Sequence, residues 1–235
     1  MKFDDVEDVI AGVQYMKTEQ GRLVYDFLVE NKLGRILELG FAHGKSTCYF
    51  AAAADEIGGD AHVLTFDRDS ARRRDPNIHE LLERTGLTER VTPVYAETSY
   101  TWDLMKLLDQ DPQPRFDFAY IDGGHTWDVS GFAFFLVDLL LAPGGWVLFD
   151  DLDWTLGGSK HMRKQPWVKE LPEEQRRTPQ VRKVFELLVR THPGYVDVHE
   201  RDGWGWARKR PDTTRISDRG TGKRGLLSAL KPSSP

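Results

Sequence analysis

The chain has 235 residues, 40% of them hydrophobic, and a formal net charge of −5, which is enough for one large domain with a complete core. No apolar run approaches the roughly 20 residues that a membrane-spanning helix needs, and the acidic N-terminus lacks the apolar segment of a signal peptide. The single cysteine, Cys48, excludes an internal disulfide. These features predict a cytoplasmic protein with no membrane partner.

The charge is unevenly distributed along the chain. Residues 208–235 hold eight basic and two acidic residues, so the remainder is strongly acidic. An acidic body argues against nucleic acid as the main partner. From residue 211 onward Arg, Thr, Ser, Gly and Pro dominate, which predicts a basic, disordered tail over residues 211–235. The sequence leaves the oligomeric state open, with a homo-oligomer as one alternative.

The predicted elements alternate between helix and strand through the middle of the chain. An apolar stripe at helical spacing, Leu23, Val24, Phe27 and Leu28, assigns residues 1–34 to an N-terminal helical cap. The predicted strands cover residues 35–39, 62–66, 91–95, 116–121 and 146–149. The predicted helices cover residues 44–57, 77–84 and 100–108. A fourth helix follows from the repeat of Phe132, Phe135, Leu136, Leu139 and Leu140.

The last third of the chain predicts a closing hairpin. Residues 157–177 are polar and are assigned to an irregular insert or lid. An amphipathic helix is predicted from Val181, Val184, Phe185 and Leu188. Strands over 195–199 and 204–208 are joined by Arg201-Asp202-Gly203. The whole pattern predicts an α/β fold: a doubly wound, Rossmann-like, mostly parallel sheet of about seven strands with an antiparallel closing hairpin, formed by residues 35–210.

A glycine turn follows the first predicted strand. Three residues separate Gly40 from Gly44, whereas a P-loop needs four, although residues 147–151 mimic a Walker B strand. The spacing does not match the dinucleotide fingerprint Gly-x-Gly-x-x-Gly either. The remaining interpretation is a turn that lets a ligand approach the backbone at a helix N-terminus, and a purely structural turn is an equal alternative.

An acidic residue ends the second predicted strand. Asp67 lies 27 positions after Gly40, a position suited to binding two ribose hydroxyls. The turn and the acid together indicate an adenosine-type ligand.

Three carboxylates and an imidazole follow the fourth and fifth predicted strands. Asp122 and His125 follow the fourth strand, and Asp150 and Asp151 follow the fifth. Because the carboxyl ends of parallel strands meet at one edge of a sheet, these groups predict a hard-cation site with a base beside it. In the alternative interpretation the two adjacent aspartates cap the next turn and His125 is an ordinary loop histidine.

Five short motifs occur together along the chain. They are Glu38-Leu39-Gly40-x3-Gly44-x-Ser46, Asp67, Asp122-Gly123-Gly124-His125, Pro143-Gly144-Gly145 and Asp150-Asp151. Their order resembles that of class I S-adenosylmethionine-dependent methyltransferases. More narrowly it is similar to the metal-dependent small-molecule O-methyltransferases, a branch with catechol and macrocin-type sugar O-methyltransferases and cephalosporin-hydroxylase-like proteins of natural-product pathways. The resemblance covers about residues 15–209.

The resemblance implies a binding site for S-adenosylmethionine. Gly40 and Gly44 would line the methionine moiety, and Ser46 would bind its carboxylate. Asp67 would bind the ribose, and Glu97 would lie beside the adenine. The same resemblance places Glu38 and Asp122 among the cofactor-binding residues.

The resemblance also implies a metal site and a base. Asp122, Asp150 and Asp151 would hold Mg²⁺ or another divalent cation, and His125 would be the catalytic base. Methyl transfer needs an aligned, deprotonated oxygen, and a phenol has an ordinary pKa of about 10. A cation lowers that pKa and a nearby imidazole accepts the proton.

The expected function is therefore methylation of a small-molecule hydroxyl. Three alternatives remain open from the sequence: a metal-free or N-directed methyltransferase of the same fold, a P-loop-like NTPase, and a non-catalytic S-adenosylmethionine-binding protein.

Overall fold

A computed structural model of the chain describes residues 1–211. The predicted disordered tail lies outside the described residues except for Pro211. Within residues 1–211, no helix has the length and apolar character that crossing a membrane requires.

The described elements alternate as predicted. The helices are α1 (Phe3–Ile10), α2 (Thr18–Asn31), α3 (Lys45–Ile57), α4 (Ile78–Thr85), α5 (Tyr100–Leu108), α6 (Trp127–Leu140), α7 (Pro166–Glu170), α8 (Glu173–Arg177) and α9 (Gln180–Val184). The strands are β1 (Arg35–Leu39), β2 (His62–Arg68), β3 (Val91–Ala96), β4 (Phe116–Ile121), β5 (Leu141–Phe149), β6 (Tyr195–Arg201) and β7 (Trp204–Lys209). A π-helical segment, Phe185–Val189, continues α9.

The seven strands form one sheet in the order β3-β2-β1-β4-β5-β7-β6. The first five are parallel, and β7 runs antiparallel to both β5 and β6. This confirms the predicted doubly wound sheet with a closing hairpin. The strand order reverses at β1 and β4, and in such sheets ligands bind at the carboxyl ends of the strands beside that reversal.

Two apolar layers cover the sheet. One contains α1 to α4 and is rich in small residues, because Ala51, Ala52, Ala53 and Ala54 of α3 are all fully buried. The other contains α5, α6 and α9. The central strands are buried on both faces, which explains why β1 and β4 appear in the sequence as continuous apolar runs.

The apolar repeat used to predict α6 marks the buried face only in part, because only Leu136 and Leu140 of its five residues are buried. The helix is present, but Phe132, Phe135 and Leu139 are 52%, 58% and 41% exposed. The buried face also includes Phe134 and Val137, which the repeat left out. This helix is apolar nearly all round, so periodicity identified the helix without identifying the side that packs against the sheet.

Two other predictions change in detail. β5 begins at Leu141, five residues earlier than predicted, and a register shift opposite β4 accommodates the Pro143-Gly144 segment. The insert over 157–177 contains a 3-10 turn at Met162–Lys164 followed by α7 and α8. A backbone hydrogen bond from Gly157 to the carbonyl of Arg176 (2.8 Å) closes this insert at its base.

Candidate functional site

Gly40 lies where β1 ends, beside the end of β4. Its φ is +102°, and a Cβ built on it would lie 2.2 Å from the backbone oxygen of Asp122. Its N–H donates to the carbonyl of Phe66 (2.7 Å), so the turn stays joined to the sheet. Gly44 also has a positive φ, +97°, and its Cβ would lie 2.7 Å from Ile78. No side chain fits at Gly40, and the turn is held against the residues that follow β4.

Asp67 faces this turn from the end of β2. Its Oδ2 accepts hydrogen bonds from the N–H groups of Phe41 (3.1 Å) and Ala42 (2.6 Å). Its Oδ1 accepts from the N–H of Arg68 (2.6 Å). The structure therefore brings the predicted acid to the predicted glycine turn. Binding of ribose by Asp67 stays a prediction.

Glu38 is fully buried beneath the turn. Its carboxylate accepts hydrogen bonds from the hydroxyls of Ser46, Thr47 (2.6 Å) and Thr65 (2.6 Å). Burial raises the pKa of Glu38 to about 7, and the three hydroxyl donors act in the opposite direction. The hydroxyl of Ser46 donates to Glu38 and so does not point away from the protein. Glu97 is exposed and directly follows β3.

Asp122, His125 and Asp151 converge at the carboxyl edge. Each offers one ligand atom, and these atoms lie within 4.8 Å of one another. The Nε2 of His125 is 2.9 Å from Oδ2 of Asp151 and 3.8 Å from Oδ1 of Asp122. Asp151 has a φ of +55°, a conformation that residues other than glycine adopt infrequently. The turn after β5 thus places this carboxylate against the imidazole.

Asp150 is held by hydrogen bonds from three donors. Its Oδ1 accepts hydrogen bonds from the indole Nε1 of Trp204 (2.6 Å) and from the N–H of Asp151 (2.6 Å). Its Oδ2 accepts from the hydroxyl of Tyr120, and that hydroxyl is also 3.4 Å from Oδ2 of Asp122. Asp150 is therefore connected to the group of Asp122, His125 and Asp151 through the Tyr120 hydroxyl and is not itself one of the three residues whose ligand atoms lie within 4.8 Å of one another.

The acidic cluster has little compensating charge. Within residues 1–211, no lysine or arginine forms an ion pair with Asp122, Asp150 or Asp151, and His125 is the one basic side chain that contacts them. Desolvation raises the pKa of Asp122 and of Asp150, and the negative charge of neighbouring carboxylates raises both further. Carboxylate oxygens with an adjacent imidazole suit a divalent cation such as Mg²⁺ or Mn²⁺, so the residues present fit the predicted metal.

Sequence reasoning missed several aromatic residues of the site. The ring of Trp154 packs on His125 with centroids 4.5 Å apart. The hydroxyl of Tyr100 accepts a hydrogen bond from the N–H of Gly124 (2.9 Å), and a Cβ on Gly123 would lie 2.4 Å from the Tyr100 ring. The Gly123-Gly124 pair was the available signal of this close approach. Nothing comparable in the sequence indicated the contact between Trp204 and Asp150.

The site residues lie in a segment of the chain that matches a known protein family. Residues 37–152 match the family described as "Methyltransferase domain", a range that includes the glycine turn and the whole acidic cluster. The chain belongs to the class I S-adenosylmethionine-dependent methyltransferases. A comparison with curated proteins gives no match to this methyltransferase.

Solved structures share the methyltransferase fold over most of their length. An O-methyltransferase from Bacillus cereus in complex with SAH has a TM-score of 0.64 at 18% identity, covering 88% of this chain and 90% of its own. The O-methyltransferase TomG from Streptomyces achromogenes, involved in tomaymycin synthesis and solved with SAM, has a TM-score of 0.64 at 19% identity, covering 88% and 89%. The SAH-bound methyltransferase PaMTH1 from Podospora anserina has a TM-score of 0.60 at 18% identity, covering 88% and 86%. Structural similarity at a sequence identity of 18–19% shows that these proteins share a fold with this chain.

Proposed function

We propose that this methyltransferase transfers the methyl group of S-adenosylmethionine to a hydroxyl oxygen of a small molecule with the help of a divalent cation. The observation that carries the proposal is the cluster of Asp122, Asp150 and Asp151, which has no lysine or arginine partner within residues 1–211 and lies beside the Gly40 turn. The naming of two structural relatives as O-methyltransferases supports oxygen as the acceptor atom. The role of TomG in tomaymycin synthesis supports a natural-product acceptor.

The methyl donor would lie along the carboxyl edge from β1 to β3. Gly40 and Gly44 would line its methionine moiety, because their positive φ angles set the path of the turn. Asp67 would accept hydrogen bonds from the ribose, since its oxygens have lone pairs beyond those used by the turn. In the same proposal Ser46 contacts the methionine carboxylate after its hydroxyl leaves Glu38, and Glu97 lies beside the adenine.

Asp122, Asp150 and Asp151 would hold the cation. When bound, the cation would lower the pKa of the acceptor hydroxyl and orient its oxygen. Asp122 directly follows β4, next to the turn that would bind the methyl donor, so one residue would link the two ligands.

His125 would accept the proton of the acceptor hydroxyl. In the tautomer whose Nε2 carries hydrogen, Nε2 donates to Asp151 (2.9 Å), and Nδ1 keeps a free lone pair. Asp151 then fixes the tautomer and stabilises the imidazolium that forms, as a carboxylate does for other catalytic histidines. The Trp154 ring packs against the imidazole and limits its rotation.

Metal dependence is tested by turnover with a panel of phenols and sugar alcohols. EDTA should abolish methyl transfer, and Mg²⁺ or Mn²⁺ should restore it. Asp150→Ala should not recover at metal concentrations that saturate the wild type. Asp153→Ala is the matched control, because Asp153 is only three residues away but exposed and paired with Arg182. Full activity in EDTA would exclude the metal and favour a metal-free or N-directed reaction.

A second measurement separates a methyltransferase from a protein that only binds the cofactor. Calorimetric titration with S-adenosylhomocysteine should give saturable binding, and ATP should give none. Binding without transfer to any oxygen or nitrogen acceptor, with metal present, would indicate a non-catalytic role.

A further inference from the structure

Two buried aromatic residues hold the Asp150 carboxylate in place. We propose that Tyr120 and Trp204 are positioning residues of the cation site, which fix the orientation of Asp150 and thereby set the affinity for the cation. The inference rests on the proposed metal site and assigns a role to two residues that the family motifs do not include.

The donors reach Asp150 from three different parts of the fold. Tyr120 is on β4, two residues before Asp122, and its hydroxyl donates to Oδ2 of Asp150. Trp204 begins β7 and donates its indole N–H to Oδ1 at 2.6 Å. The N–H of Asp151 donates to the same oxygen at 2.6 Å. Because both oxygens have a donor, rotation of the carboxylate would break at least one hydrogen bond.

Both aromatic side chains are themselves fixed by packing. Tyr120 and Trp204 are essentially fully buried, with ring centroids 6.2 Å apart. Phe50 also packs against Tyr120, with ring centroids 5.3 Å apart. Rigid donors hold an acceptor more accurately than mobile surface groups, and the outer partners of metal ligands commonly change metal affinity by about 10–100-fold when they are removed.

Electrostatics gives these donors a second effect. Asp122 and Asp150 carry like charge in a partly dehydrated site, so each would turn away from the other without an opposing force. The Tyr120 hydroxyl has one hydrogen, which it donates to Asp150, and the same hydroxyl is 3.4 Å from Oδ2 of Asp122, so the donated hydrogen offsets part of the negative charge of Asp150 next to Asp122. This arrangement keeps both carboxylates close before a cation arrives.

The neighbouring Trp206 provides a natural comparison. Trp206 is also buried and lies in the same hairpin, with its ring centroid 6.1 Å from that of Trp204. Its indole Nε1, however, has no hydrogen-bond partner within the described residues. Trp204→Phe and Trp206→Phe therefore remove similar buried volume, and only the first removes a hydrogen bond to Asp150.

The test measures Mn²⁺ binding by electron paramagnetic resonance in the full chain. Tyr120→Phe and Trp204→Phe should each bind Mn²⁺ about 10–100-fold more weakly than the wild type, with S-adenosylhomocysteine affinity unchanged. The controls are Trp206→Phe and Tyr195→Phe, the latter because Tyr195 donates to Asp138 (3.1 Å) away from the site. Both controls should bind Mn²⁺ like the wild type, even where their melting temperatures fall.

The outcomes distinguish this inference from the proposed function. Wild-type Mn²⁺ affinity in both Tyr120→Phe and Trp204→Phe overturns the positioning role and leaves the metal site intact. Equal weakening in Trp206→Phe and Trp204→Phe overturns it as well, because loss of packing then explains the effect. A wild type that binds no Mn²⁺ overturns the metal site and the positioning role together. If Trp204→Phe does not fold, Tyr120→Phe decides the matter, since it removes a single hydroxyl.

Discussion

Replacing Gly40 by alanine tests the close packing of the glycine turn against the end of β4. The new Cβ would lie 2.2 Å from the carbonyl oxygen and 2.6 Å from the carbonyl carbon of Asp122, and both atoms belong to the backbone. A flexible side chain could move away, but here β1 and β4 must separate or the turn must change its path. The φ of +102° adds strain that any L side chain would experience.

The two costs can be estimated separately. A left-handed conformation costs a residue with a Cβ about 1–2 kcal/mol, and insertion of a methyl group into a packed region costs about 1–3 kcal/mol. Gly40→Ala should therefore lower the free energy of unfolding by about 2–5 kcal/mol in total. Because the clash displaces the backbone next to Asp122, S-adenosylhomocysteine binding should be lost as well.

Gly12→Ala is the matched control. Gly12 has a φ of +82°, and nothing lies within 4 Å of the position that a Cβ would take there. The free energy of unfolding of Gly12→Ala should fall only by the cost of the left-handed conformation, about 1–2 kcal/mol. This variant should keep its affinity for S-adenosylhomocysteine. Chemical denaturation and calorimetry on both variants check these values. Equal stability losses for Gly40→Ala and Gly12→Ala would refute the close approach to Asp122.

Three further predictions concern single side chains. Asp67→Ala should weaken S-adenosylhomocysteine binding by about 1–3 kcal/mol in calorimetry, with the nearby exposed Asp69→Ala as control; unchanged affinity would remove Asp67 from the site. His125→Ala should lower kcat by about 10²–10⁴-fold without changing S-adenosylhomocysteine affinity, and near-normal turnover would place the base elsewhere. Since the pKa of Glu38 is raised to about 7, its ionisation opposes folding, so the wild type should lose about 3 kcal/mol relative to Glu38→Gln between pH 4.5 and pH 7. The free energies of unfolding of both proteins are measured in urea at each pH. If they change with pH by the same amount, burial of Glu38 does not have this effect.

The strands were the most predictable part of the fold. β1 and β4 have the predicted bounds because each is an apolar run that ends at Gly40 or Asp122. The sheet edge then follows from parallel pairing, which is why Asp67 was placed correctly beside the glycine turn. For these strands the local composition and the long-range pairing agree, so the sequence alone was sufficient to predict their bounds.

Side-chain partners across the fold were less predictable. Trp204 and Asp150 are 54 positions apart, and their contact depends on how the β6–β7 hairpin pairs with β5. The sequence predicts a hairpin there but not its register, and a slip of one residue would turn Trp204 to the opposite face. The packed face of α6 was obscured for a different reason, since Phe135 and Phe134 are equally apolar and only tertiary contacts distinguish them.

The position of the hairpin at the end of the described chain has a consequence for biosynthesis. During synthesis the N-terminal part of the chain leaves the ribosome first, so β1 to β5 and the aspartates that follow them emerge before β7. Until Trp204 has left the ribosome, Asp150 lacks its indole donor and the exposed edge of β5 has no partner strand. Docking of the hairpin therefore covers a vulnerable sheet edge and completes the acidic site in the same late step of folding.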